Sequence, residues 1–158
     1  MNGNPDVIEI LNEVLTAELT AINQYFIDAK MLQNWGYDGL GGKFRHESID
    51  EMHDAEALIE RILYLDGIPN LQRLGSVRVG ESVTEKLQLA LQVEVEAVER
   101  LTRGIELCTD RHDHGSRDLL QKILAGEEAH ADWLEAQLSL IEQLGAELYQ
   151  AQQISTAG

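Results

Sequence analysis

Four long stretches of helical periodicity, interrupted by one extended connection, constrain the fold of this chain more than any other feature. Apolar residues recur at helical spacing in four segments and a short fifth, at about residues 5–35, 38–66, 82–110, 116–144 and 146–154. A helix of the longer segments' length spans roughly 43 Å, which is typical of a helix bundle. The sequence therefore predicts an all-α protein with one domain over residues 1–158.

The predicted helices carry recognisable start and stop signals. Asn4-Pro5 is typical of an N-cap followed by proline at the first helical position. Ser82, with Glu85 three residues later, forms a capping box at the start of the third helix. Gly36 ends the first helix. The turn after it is tight, so the first two helices must be antiparallel.

The connection between the second and third helices is unusually long. Residues 67–81 contain one proline and three glycines and show no helical period. Fully extended, this segment could span roughly 50 Å, enough to cross the whole length of a bundle. A single long crossover between helices 2 and 3 is the topology of ferritin-like four-helix bundles.

Charge and cysteine content narrow the possible partners and location. The net charge of -16 argues against nucleic acid or an anionic membrane as a partner and suits a protein that attracts cations. Cys108 is the one cysteine, so no disulfide framework is expected. No signal-peptide pattern and no apolar run of roughly 18 residues is present, which predicts a cytoplasmic protein.

Two half-motifs point to a metal site. Glu127-x-x-His130 and Glu51-x-x-Asp54 each place two side chains one helical turn apart on the same face. Paired Glu-x-x-His motifs on two helices, with one glutamate from each of two other helices, form the di-iron site of ferritin-like bundles. The second motif has aspartate where that pattern has histidine.

Glu18 and Glu94 lie near the centres of the first and third helices, at the same depth as the two half-motifs. A carboxylate on an apolar helix face is costly to bury unless a cation pairs with it. Each glutamate taken alone is compatible with a solvated surface charge. Their shared depth across four helices favours a metal site.

Several stretches of the sequence resemble bacterioferritins, and the resemblance covers essentially the whole chain. They are Glu18-Leu19-x-Ala21-Ile22-Asn23-Gln24-Tyr25-Phe26, His46-Glu47-Ser48-Ile49-Asp50-Glu51-Met52, Arg61-Ile62-Leu63, Pro69-Asn70-Leu71-Gln72, Ser116-Arg117-Asp118 and Trp133-Leu134-Glu135. The resemblance implies di-iron ligands at Glu18, Glu51, Glu94, Glu127 and His130, with Asp54 in the place of the family's second histidine.

Asp54 leaves two expectations open. The four glutamates match two ferrous ions in charge, so Asp54 adds a fifth negative charge that must coordinate, bind a proton or find another cation. Aspartate is a hard oxygen ligand suited to iron, and an oxygen-richer site would hold ferric iron more firmly and pass it on more slowly. The alternative is a weakened or inactive oxidation centre.

His53 cannot replace the missing ligand, because it points about 200° away from Glu51 on an ideal helix. His46, Asp50 and His53 instead share one stripe, at i, i+4 and i+7. The resemblance implies that His46 and Asp50 face the cavity of a hollow shell and bind iron there. His53 would extend that stripe by one ligand.

The resemblance also implies haem b at a two-fold dimer interface, with Met52 as the axial ligand from each copy. The residues similar to those lining that pocket are Leu19, Ile22, Asn23, Phe26, Ile49 and Leu71. Arg45 stands where it would pair with a haem propionate, although without the resemblance it is a surface arginine. Such dimers would assemble into a shell of roughly 24 copies with closed symmetry. Asn34, Asp66 and Asp132 would lie near its entry pores.

The expected function is iron storage. Ferrous ions would be oxidised by O2 or peroxide at the di-iron centre, and the ferric mineral would be stored in the shell. Electrons for iron release would come through the haem from a ferredoxin-type donor. One alternative is a haem-binding subunit without oxidation activity that assembles with a competent sister subunit. A second is a small electron-transfer haem bundle without a shell.

Overall fold

The computed structural model describes residues 1–154 and contains five helices. They are α1 (Pro5–Asn34), α2 (Asp38–Tyr64), α3 (Val83–Asp110), α4 (His114–Leu144) and α5 (Ala146–Ala151). The described residues contain no β-strand, so the predicted all-α fold is confirmed. Within this part of the chain, no helix combines the length and the apolar character that crossing a bilayer requires.

Side-chain caps fix where three of the helices begin. Asn4 accepts a hydrogen bond from the Asp6 amide at 2.8 Å, and Ser82 accepts one from the Glu85 amide at 3.1 Å, as the sequence predicted. The fourth helix begins at His114, two residues earlier than predicted, because Asp113 and not Ser116 is its cap.

Three helices end where the backbone turns into the left-handed region. Gly36, Asp66 and His112 have φ of 94°, 60° and 57°. After Asp66, the Gly67 amide donates to the Ile62 carbonyl at 2.9 Å and closes the last turn of α2. For this reason α2 ends at Tyr64 and not near residue 66. The fifth helix also ends early, at Ala151 and not at residue 154.

The connection between α2 and α3 runs along α1. Its Asn70, Gly75 and Arg78 amides donate to side chains of α1, at 2.8, 2.8 and 3.1 Å. Their acceptors follow one another along α1, and are Asn12, Thr20 and Gln24. The connection therefore crosses the bundle and makes α3 antiparallel to α1. This is the single crossover of a ferritin-like bundle.

Two apolar clusters fill the interior, one towards each end of the bundle. The first apolar cluster includes Val7, Leu11, Leu15, Ala55, Leu58, Leu101 and Ile123. The second apolar cluster includes Ala21, Tyr25, Phe44, Leu87, Ala90, Leu134 and Tyr149. Along each long helix, members of the first cluster and members of the second lie on either side of a central buried carboxylate. A polar layer thus divides the core in two.

Candidate metal centre

The polar layer between the two apolar clusters brings together the six side chains that were predicted as ligands of the di-iron centre. They are Glu18 from α1, Glu51 and Asp54 from α2, Glu94 from α3, and Glu127 and His130 from α4. Asp54 is half-buried and the other five are buried. Buried carboxylates at this density require protons or cations to balance their charge.

The six side chains form two overlapping sets. Glu18, Glu51, Asp54 and Glu127 each place one carboxylate oxygen within 4.8 Å of the others. On the other side, Nδ1 of His130 lies 2.9 Å from Oε1 of Glu94. Glu127 lies close enough to both Glu51 and Glu94 for each of them to shift its pKa, so it joins the two sets.

Burial and mutual repulsion perturb the acidity of this layer. Burial raises the pKa of Glu51 and of Glu127 well above the usual range, and the neighbouring carboxylates raise both further. For Glu94, burial also raises the pKa, but hydrogen bonds from Glu127, His130 and Tyr25 outweigh it, so the pKa is lowered. In the metal-free protein, Glu51 and Glu127 therefore bind protons more tightly than an exposed glutamate does, and Glu94 binds them less tightly.

Asp54 is less perturbed than its neighbours. Burial, followed by the charges of Asp50 and Glu94, raises the pKa of Asp54 to about 6, and His53 opposes part of this rise. The side chain is therefore mainly ionised at neutral pH. It adds a negative charge beside Glu18 and Glu51, and this charge favours a bound cation.

Several buried atoms of the layer have no hydrogen-bond partner. Among the described residues they include Oε2 of Glu18, Oε2 of Glu94 and Nε2 of His130. Such atoms are costly to bury unsatisfied, and they are rare unless something else binds them. Carboxylate oxygens and an imidazole are the donors that iron and other divalent ions take in proteins. The residues present fit a pair of metal ions.

Three further side chains belong to the centre but were not given a role from the sequence. The Tyr25 hydroxyl donates to Oε1 of Glu94 at 2.5 Å. Oε2 of Glu47 lies 3.5 Å from Nδ1 of His130, and the Trp133 ring stacks on the His130 ring. Helical spacing could have identified all three, because each lies one or two turns from a predicted ligand on the same helix.

The predicted cavity stripe on α2 is only partly assembled. Nε2 of His46 and Oδ2 of Asp50 form an ion pair at 3.3 Å, and both side chains are exposed. His53 is exposed as well. Within residues 1–154, only one group of three or more potential metal ligands has its ligand atoms close enough to share an ion, and it is the set of Glu18, Glu51, Asp54 and Glu127. His53 therefore does not form a site with His46 and Asp50.

Most of the residues predicted to hold haem are exposed. Met52 is 52% exposed, and Phe26, Ile49 and Leu71 are exposed apolar side chains. Leu19 and Ile22 are half-buried, while Asn23 and Arg45 are exposed. A soft thioether sulfur surrounded by apolar surface is compatible with a haem-iron ligand. The residues present fit a haem shared with a second copy of the chain.

The predicted pore residues Asn34, Asp66 and Asp132 are all exposed. Asp66 forms an ion pair with the N-terminal ammonium at 2.9 Å. A pore requires neighbouring copies, so the role of these three residues stays a prediction.

A groove of about 740 Å³ lies beneath the crossover, away from the carboxylate layer, between α1 and α3. Four charged residues at its wall form two ion pairs, Arg78 with Glu96 at 2.8 Å and Arg100 with Glu13 at 3.9 Å. None of the six predicted di-iron ligands lines this groove, so we assign it no part in the metal centre.

Comparison with known proteins agrees with this architecture. A family model described as a ferritin-like domain matches residues 8–144. The bacterioferritin of Mycobacterium leprae is 54% identical over 155 residues, which are 98% of each chain. That of Streptomyces coelicolor is 57% identical over 94% of this chain and 89% of its own, and that of Brucella melitensis is 44% identical over 94% and 92%. With this fold, this polar layer and these relatives, the chain belongs to the bacterioferritin family of iron-storage proteins.

Proposed function

We propose that this chain oxidises Fe2+ at the buried carboxylate layer, using O2 or peroxide, and stores the ferric product in a hollow shell. The observation that carries the proposal is the meeting of five carboxylates and one imidazole from four helices in a single layer. Such a layer is unfavourable to leave without cations and well suited to binding two of them.

The arrangement supports a division of roles among the six side chains. Glu127 interacts with members of both sets, and Glu51 lies beside Glu127 and feels the charge of Glu94, so these two carboxylates would bridge two iron ions. Glu18 and Asp54 would complete the ligands of one ion, and Glu94 and His130 those of the other. Because the pKa values of Glu51 and Glu127 are raised in the metal-free protein, iron would compete with protons for these two carboxylates, and its binding should become tighter as the pH rises.

A haem b between two copies of the chain is a further part of the proposal. The exposed Met52 sulfur would be its ligand, and the apolar side chains around it would exclude water. A bound haem would supply one-electron chemistry, carrying electrons from a ferredoxin-type donor for iron release. The neutral imidazole of His46 and the carboxylate of Asp50, which lie 3.3 Å apart, would bind iron at the cavity surface.

The shell is the third part of the proposal, and we place the protein in the cytoplasm. Light scattering of the purified chain should give about 24 times the 17.7 kDa mass of one chain. A particle of one or two chains would contradict the shell and favour the small electron-transfer haem bundle.

The oxidation activity is tested by adding Fe2+ aerobically to the metal-free protein and following ferric absorbance. A fast phase well above the protein-free rate is expected. Glu127→Gln should reduce that phase by about tenfold or more, because it removes the charge shared by both ions. Glu128→Gln is the matched control, since Glu128 is the exposed neighbour on the same helix. Equal rates for the two variants would contradict the proposed centre.

A second candidate function is a haem-binding subunit that assembles with an active partner and performs no oxidation. The presence of Asp54 in place of the second histidine is the observation that favours it. The two functions separate in the same assay: the purified homomer would then bind haem but oxidise Fe2+ no faster than buffer.

A further inference from the structure

The two metal positions of the centre are made from different donor atoms. At one position, the four ligand atoms are all carboxylate oxygens and lie within 4.8 Å of one another. They belong to Glu18, Glu51, Asp54 and Glu127. Around the other, Glu94 is joined at 2.9 Å by an imidazole nitrogen of His130. We name these the oxygen-only position and the imidazole position.

The oxygen-only position is more than a cluster of acidic residues. Glu18 is 3% exposed, and its Oε2 is buried without any hydrogen-bond partner although it belongs to the group that closes together. A buried carboxylate oxygen left in this way is prepared for a ligand. No imidazole can reach this position from α2, because His53 is exposed and lies on the other side of the helix.

Donor type decides which divalent ion a site favours. Carboxylate oxygens suit hard ions such as Mn2+, Mg2+ and Ca2+, whereas imidazole raises the affinity for Zn2+ and other borderline ions. A centre with one imidazole at each position would treat its two ions alike. In this chain, only one of the two positions contains an imidazole.

We infer that Asp54 is a metal-specificity residue, which makes the oxygen-only position select hard cations, Mn2+ in particular, while the imidazole position keeps its preference for iron or zinc. The inference rests on the proposed two-metal centre and goes beyond it: the centre would accept two different metals, with Mn2+ beside Glu18 and Asp54. Magnesium and calcium belong to the same class of ion, but their larger requirement for water or additional ligands makes them weaker competitors here.

The test is an anaerobic competition between Mn2+ and Zn2+ on the chelator-treated, assembled protein. Free Mn2+ is counted by its electron paramagnetic resonance signal, so the measurement does not depend on oxidation activity. The unchanged chain should bind Mn2+ and keep it when Zn2+ equal to one ion per chain is added. Asp54→His should lower the Mn2+ to Zn2+ affinity ratio by about tenfold or more.

Two further variants make the result specific. Asp54→Asn keeps the size of the side chain but removes its charge, so it should weaken Mn2+ binding without strengthening Zn2+ binding. Leu140→His places a new imidazole on the exposed surface of α4, where no histidine or carboxylate lies one helical turn away, and should leave the ratio unchanged.

The outcomes separate this inference from the proposed function. An Mn2+ to Zn2+ ratio that is the same in Asp54→His and in the unchanged chain would overturn the inference while leaving the metal centre intact. If the unchanged chain bound neither ion, or if Glu127→Gln bound both as well as the unchanged chain does, the centre itself would be refuted and the inference with it.

Discussion

At position 54, an aspartate takes the place of the longer imidazole side chain and changes both reach and charge. Its carboxylate still closes to within 4.8 Å of Glu18, Glu51 and Glu127, so the shorter side chain remains within reach of a shared ion. Because Asp54 is ionised above a pKa of about 6, the layer is more negative at neutral pH than a layer with neutral histidine would be. Ferric iron should therefore leave this centre slowly.

Asp54→His should accelerate the oxidation of a second addition of Fe2+ by about tenfold, a typical effect of altering the ligand environment of a metal. Lower negative charge would weaken the hold on the ferric product and free the centre for the next ferrous ions. Stopped-flow absorbance after a second addition of Fe2+, made when the first has been oxidised, measures the effect, and Leu140→His, on the exposed surface of α4, serves as the surface control. Unchanged kinetics in Asp54→His would count against slow product transfer as the consequence of this aspartate.

The hydrogen bond from Tyr25 to Glu94 supports the ionised form of a buried carboxylate. Tyr25→Phe should therefore raise the pKa of Glu94 and reduce the free energy of unfolding by about 1–3 kcal/mol at neutral pH. Chemical denaturation of the metal-free protein measures the loss. Tyr64→Phe is the matched control: Tyr64 is half-exposed, and its removal should change stability by less than about 0.5 kcal/mol. Equal effects of the two substitutions would argue against a special role for the Tyr25 hydroxyl.

A buried ion pair, formed by Lys86 and Asp28, connects helix α3 with helix α1 near the end of the crossover. Nζ of Lys86 lies 2.9 Å from Oδ1 of Asp28, and both side chains are fully buried. Burial raises the pKa of Asp28 to about 6, although Lys86 opposes the rise. A buried pair of this kind contributes little net stability, but either charge alone is strongly unfavourable.

Asp28→Leu should therefore lower the free energy of unfolding by about 3–5 kcal/mol, because Lys86 is left buried without its partner. The double substitution Asp28→Leu with Lys86→Met should recover most of that loss. Thermal and urea unfolding provide the comparison. Arg103→Met, which removes an exposed partner of Glu13, should cost less than about 1 kcal/mol. A double variant as unstable as Asp28→Leu alone would show that the pair has a role beyond mutual neutralisation.

The helices were predictable because their apolar period is long and uninterrupted, and all four long helices start and end within two residues of the expected bounds. The remaining differences come from local backbone geometry. Asp66 and His112 are left-handed residues that are not glycine, and Asp113 caps α4 so that the helix begins two residues before the predicted start. The exact end of a helix depends on which backbone carbonyls still need a hydrogen-bond donor in the folded chain. The spacing of apolar residues along the sequence does not contain that information.

The predicted ligands met in one layer because helical spacing fixes which side chains share a face. The sequence did not reveal Lys86 as a core residue, since a lysine between apolar residues looks like the solvent side of an amphipathic helix. Its burial depends on Asp28, which lies on another helix. Pairings between distant segments, like the contact of Glu47 with His130, are set by tertiary structure and not by spacing along one helix.

For the whole molecule, the perturbed carboxylates predict how stability depends on pH. The pKa of Asp54 and that of Asp28 are raised in the folded chain from 3.8 to about 6, so the folded state binds protons more tightly than the unfolded state across that range. Stability contributed by these two groups is thus present below pH 3.8 and is lost as the pH rises to about 6. Glu51 and Glu127 act in the same direction and Glu94 acts in the opposite direction.

Metal-free protein carrying Asp54→Asn should therefore lose less stability between pH 4 and pH 7 than the unchanged chain, by about 1–2 kcal/mol. With Mn2+ bound the dependence should reverse, because the ion holds the carboxylates in the ionised form. Thermal unfolding at several pH values, with chelator and with Mn2+, measures both effects. Parallel pH profiles for the two metal-free chains would contradict this account.

The exposed Met52 side chain allows the proposed haem site to be tested separately from assembly. Met52→Leu should eliminate haem binding, seen as loss of haem absorbance per chain, while the particle size measured by light scattering stays the same. Met31→Leu is the control, because Met31 is half-buried, packs against Lys86 and is not one of the predicted haem-binding residues. Haem retained by Met52→Leu would show that another residue provides the ligand.

Because an apolar cluster lies on each side of the carboxylate layer, the energy that keeps the four helices folded does not come from the layer itself. The clusters hold mutually repelling groups together, and relief of that repulsion adds to the affinity for incoming cations. Neutralising these carboxylates by substitution should therefore yield a more heat-resistant protein that captures iron poorly. Thermal stability and affinity for iron are therefore in opposition here, and the metal-free protein stays folded and able to bind iron again.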